Sequence, residues 1–60
     1  MYYTSKTEYQ CYDINGHYQG VALDMWIAAE RAGEGGEILL EHSVGESKWT
    51  VRDGLVYRTR

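Results

Sequence analysis

The segment CYDINGHY, from Cys11 to Tyr18, sets a thiol, a carboxylate and an imidazole within eight residues. A thiolate beside a base or a cation is a nucleophile, and a carboxylate beside an imidazole can hold and pass a proton. Whether Cys11, Asp13 and His17 can meet depends on Asn15-Gly16 between them. Asn-Gly is a strong signal for a two-residue type I′ hairpin turn, because both central residues need positive φ. In that register Ile14 faces His17, Asp13 faces Tyr18 and Cys11 faces Gly20. Alternation then puts Cys11, Asp13 and Tyr18 on one face and His17 on the other, beside Ile14. The alternative is a three-residue turn with a bulge at Gly16, which pairs Asp13 with His17 and brings Cys11 to their side. The two-residue turn is the expected one, and in it Cys11 has no activating neighbour.

The other groups able to bind a metal are His42, Glu37 and Glu41. Neither C-x-x-C nor H-x₃-H spacing occurs, and Glu41 and His42, adjacent on a strand, point to opposite faces. The GEGGE stretch follows the expected helix instead of opening one, so it lacks the geometry that cradles phosphate. No catalytic set, metal or cofactor is expected, and an enzyme is the least favoured class.

Charge narrows the partners. The 60 residues carry a net charge of −3. Residues 1–43 hold two basic and seven acidic side chains, a net of −5, whereas residues 44–60 hold four basic and two acidic, a net of +2. The whole chain therefore argues against nucleic acid, while the tail keeps it as the alternative. Lys48, Arg52, Arg58 and Arg60 would contact phosphates there and Tyr57 would stack on bases. Cys11 is the only cysteine, and neither an export signal nor an apolar run long enough for a bilayer is evident. A reducing compartment, the cytoplasm, is expected, with no membrane association.

The elements that would position these residues follow from the turns. Sixty residues suffice for one domain, taken as 1–60. Six Tyr and two Trp with no Pro lean towards β-structure. Asn15-Gly16, Asp53-Gly54 and the Gly45 region (residues 43–47) punctuate strands expected near 7–14, 17–20, 37–43, 48–52 and 55–59. VALDMWIAAERAG between the second and third strands predicts a helix over 21–32, stopped at Gly33, with Val21, Ala22, Met25, Trp26, Ala29 and Ala32 on its inner face. The fold class is therefore α+β: an antiparallel sheet of about five strands, ββαβββ, with one helix packed on one face. Trp26 and Trp49 are expected to be largely buried, packing with Val51, Val56, Ile38 and Leu40.

One helix covers one face only. Tyr2, Tyr3, Tyr12, Leu39, Leu55 and Tyr57 are left as apolar bodies without assured cover, and a contiguous Tyr-rich patch marks an interaction surface. The expected binding residues are Leu55, Tyr57, Tyr12, Arg52, Arg58, Arg60 and Lys48. The function expected is a small non-enzymatic protein-binding module. It would self-associate as a homodimer or act as an accessory regulator or inhibitor of a larger protein, a role that chains of this size, including phage-borne ones, commonly fill.

Overall fold

The computed structural model describes residues 7–60. The elements are β1 (Tyr9–Tyr12), β2 (Tyr18–Ala22), α1 (Met25–Ala32), β3 (Glu37–His42), β4 (Gly45–Arg52) and β5 (Leu55–Arg58). The strands form one antiparallel sheet in the order β2-β1-β3-β4-β5, and α1 packs against β1, β2 and β3. This is the expected α+β class with the expected ββαβββ order. No helix among the described residues is long and apolar enough to cross a membrane. Tyr2 and Tyr3 lie outside the described residues.

The last hairpin forms as its sequence predicts. Asp53 and Gly54 both have positive φ (56° and 75°), so Trp49 faces Arg58 and Val51 faces Val56. Across β3 and β4 the turn is tighter than expected: His42 pairs with Gly45, leaving only Ser43 and Val44 between them.

The first hairpin departs from the expected register. Asp13 N donates to His17 O at 2.9 Å and Gly16 N to Asp13 O at 2.9 Å, with Gly16 at φ 83°. This is the three-residue turn with its glycine bulge. The Asp13 side chain decides it. Its Oδ1 accepts from the backbone N–H of both Asn15 and His17 at 2.9 Å, holding the chain in a wider loop than a type I′ turn allows. A second irregularity at Gln19 shifts the pairing back, so Tyr12 meets Tyr18 while Cys11 still meets Gly20.

The helix starts four residues later than expected. Val21 and Ala22 belong to β2, and Asp24 is the N-cap, its Oδ1 accepting from Trp26 N at 2.7 Å and Ile27 N at 3.4 Å. Aspartate is a strong cap because it supplies an acceptor to an orphan N–H. At the other end Gly33, at φ 74°, donates to Ala29 O at 2.9 Å. Gly36 brings the chain back to the sheet. A Cβ there would strike the carbonyl oxygens of Ala32 and Tyr12, so only glycine fits between helix end and strand.

The shorter helix changes the core. Cys11, Ala22, Ala28, Ala32, Ile38 and Val51 are buried, with Tyr9, Met25, Ala29, Trp49 and Val56 packed around them. Alanines face the sheet, so α1 sits close to β1 and β2, and Ile38 and Cys11 are the largest completely buried side chains. Trp26 does not join this core. It is 81% exposed, because Ala28 and Ala32 fix the inward direction and position 26 lies about 140° round the wheel from its centre. Trp49 is half-buried, with the Tyr9 ring edge-on at 5.8 Å.

Candidate functional site

The sheet presents two surfaces that could receive a partner. The one expected from sequence is the face away from α1. Strand register places Tyr18, Tyr12, Glu37, Thr50 and Tyr57 in one row across all five strands, with Leu39 and Lys48 paired in the next. Tyr12 and Tyr18 lie 5.4 Å apart, and Tyr18 Oη donates to Gln10 Oε1 at 2.7 Å. Arg52 sits 6.0 Å from the Tyr57 ring, a weak cation–π contact at an exposed site. Glu37 and Thr50 stand between the tyrosines of β1 and β2 and that of β5, so the aromatic surface is split in two.

The basic residues disperse. Lys48 Nζ and Arg60 Nη1 both approach Glu46 Oε1, at 4.0 and 3.5 Å. Arg58 belongs to the opposite face, where it pairs with Trp49. There Arg58 Nη2 donates to Ser47 Oγ at 3.0 Å and its Nε to Arg60 O at 2.8 Å. Of the seven residues expected to bind, the fold therefore groups Lys48 with Arg60 and Arg52 with Tyr57. Tyr12 stands two strands away and Arg58 on the other side of the sheet.

Reactive groups are likewise separated. Cys11 is fully buried, its Sγ–H directed at Tyr9 O at 3.6 Å, and burial pushes its thiol up, an effect the charge of Arg31 only partly opposes. Asp13 and His17, which the loop does bring together at 3.8 Å, are at the exposed tip. The backbone N–H of His17, with that of Asn15, holds the Asp13 carboxyl below its ordinary value. Ser47 Oγ and His42 Nε2 are 3.2 Å apart, but the guanidinium of Arg58 already occupies the hydroxyl oxygen. Among the described residues no three of His, Cys, Asp and Glu gather as a metal-binding group.

The second surface was not foreseen. Between α1 and the β4–β5 hairpin runs an apolar cleft of about 230 Å³, lined by Met25, Trp26, Ala29, Gly54, Leu55 and Val56. It arises from widths: five strands about 4.8 Å apart span roughly 19 Å, whereas one helix with side chains is about 10 Å across. α1 covers the β2-β1-β3 half and leaves the inner side of β5 open. Trp26 stands on the rim, and Leu23 and Ile27, just before and within α1, are 60% and 45% exposed. Leu55, 57% exposed, is the one expected binding residue that borders the cleft, while its pairing with Arg52 sets it on the Tyr57 face of β5. The missed signal was Trp26 itself, off the alanine face of a helix too narrow for its sheet. No protein-family model, curated protein or solved structure matches the chain.

Proposed function

We propose that the chain is a small protein-binding module that acts by docking through the cleft between α1 and β5, not by catalysis. One observation carries the reading: Trp26 lies 81% exposed on the rim of an apolar cleft, in a chain whose largest completely buried side chains are Ile38 and Cys11. A domain this small has little stability to spare, so leaving one of its two largest side chains in water calls for a compensating use. Tryptophan is the residue type most enriched where binding energy concentrates, and a pocket beside it favours a partner's apolar side chain. Dispersal of Lys48, Arg52, Arg58 and Arg60 over two faces weighs against the nucleic-acid alternative. Such docking suits either a homo-oligomer or an accessory regulator of a larger protein. The single buried thiol fits a reducing compartment, the cytoplasm.

The test uses the full chain and an apolar fluorescent dye, bis-ANS. Enhanced dye emission that falls in Trp26→Ala and Leu55→Asp, with far-UV circular dichroism and the melt unchanged, supports the cleft as a docking surface. Equal dye binding by all three proteins sinks it. Retention on heparin at low salt that depends on Lys48 and Arg52 would instead favour nucleic acid.

A further inference from the structure

We infer that the occupant of the cleft is a second copy of the same chain, related by a two-fold axis that seats each Trp26 in the other's cleft. The inference rests on the docking reading above and names its partner. A two-fold interface is made by one patch meeting itself, so it needs projection and recess side by side on one surface. Trp26 is the projection, and the cleft framed by Met25, Ala29, Leu55 and Val56 is the recess beside it.

Charge gives the pairing its direction. At the C-terminal end of α1 the cleft continues into a shallower recess bordered by Glu30, Glu34, Gly33 and Gly54. Along β5, the next residue after Val56 on the same face is Arg58, whose guanidinium is backed by the Arg60 carbonyl. The cleft is thus flanked by acidic side chains at one end, and Arg58 lies on the same face of β5 beyond Val56. Turning a second copy by 180° about the groove's centre lays Glu30 of one protomer near Arg58 of its partner, twice. A parallel arrangement would set like charges together, which costs specificity and affinity.

Area is consistent with this occupant. A specific interface needs roughly 1,000 Å² in total, about 500 Å² from each protomer. A tryptophan buries about 200 Å², Leu55 borders the same cleft, and Leu23 and Ile27, just before and within α1, are exposed large apolar residues.

The experiment measures mass by sedimentation equilibrium over micromolar to near-millimolar chain, with bis-ANS binding beside it. The expected result is a concentration-dependent dimer, weakened at least about tenfold by Trp26→Ala, as a hot-spot residue should be, with the dilute monomer still folded. Glu30→Lys and Arg58→Glu should each weaken self-association, and mixing the two variants should restore a heterodimer, since both cross-pairs become attractive. A chain monomeric throughout, whose dye binding still depends on Trp26, overturns the second copy but leaves the docking reading standing. A monomer whose dye binding ignores Trp26 overturns both. A dimer indifferent to Trp26 and to both charge reversals also overturns the inference.

Discussion

The two halves of the sheet are held by different forces. The β2-β1-β3 half lies under α1, where Cys11, Ile38, Ala28 and Ala32 close on one another without water. The β4–β5 half joins that core through Val51, with Trp49 and Val56 packed at its edge, and beyond them it relies on its ladder and polar clamps. Glu34 reaches across from the α1–β3 connection to accept from Asp53 N at 2.7 Å and Gly54 N at 3.4 Å, and Arg58 ties β5 to Ser47. Burial supplies the cooperative stability in the first half. In the second, hydrogen bonds that also have water as an alternative partner supply less. The exposed half is therefore free to present a surface, and the covered half is what keeps that surface in place.

Substitutions should separate the halves. Ile38→Ala, in the covered half, should cost about 3–4 kcal/mol, within the range for a buried aliphatic residue, and could unfold the chain. A urea melt within about 0.5 kcal/mol of wild type would remove Ile38 from the centre of the core. Trp49→Ala should cost about 2 kcal/mol, roughly half the usual aromatic loss because the ring is half-buried. Trp26→Ala should change the dilute monomer by less than about 0.5 kcal/mol. The reverse order of the two tryptophans would mean that α1 covers the last hairpin after all.

Smaller effects report on the devices at the ends of elements. Asp24→Ala removes the cap of α1 and should cost about 1 kcal/mol, with helical ellipticity reduced. Glu34→Ala should cost at most about 1 kcal/mol, since its bonds are solvent-exposed. Amide exchange should speed up at Asp53 and Gly54 while α1 is unaffected, and equal acceleration in both halves would contradict their separate support.

The smallest effect concerns acid. Backbone donors at His17 and Asn15 lower the Asp13 carboxyl from its usual 3.8. A depressed carboxylate stabilises the loop fully above the unfolded-state value, and that contribution fades as pH falls through the lower folded value. A carboxyl carbon titration of Asp13 should therefore show a midpoint below that of the denatured chain. A midpoint at or above it would dissolve the proposed loop geometry.

Several of these features were legible before the fold was known. Asp53-Gly54 specified its turn because two consecutive positive-φ positions leave few alternatives, and that turn alone fixed which residues of the last hairpin share a face. Asn15-Gly16 carried the same signal and failed. A neighbouring acceptor, Asp13, competed for the loop's N–H groups, and this competition appears only when the side chain's reach is considered. The cap at Asp24 moved Val21 and Ala22 out of the expected helix and turned Trp26 to solvent.

The sequence by itself determined the number and order of elements, the stop at Gly33 and the separation of acidic and basic regions, since turns, caps and charge are local or additive. Only the tertiary structure decided where α1 lies. That choice depends on how closely Ala28 and Ala32 let the helix approach, and on Gly36 admitting the return strand between two carbonyl oxygens. A helix drawn tightly onto one half of a five-stranded sheet must leave the other half open. The cleft beside Trp26 follows from that mismatch of widths, which no local pattern records.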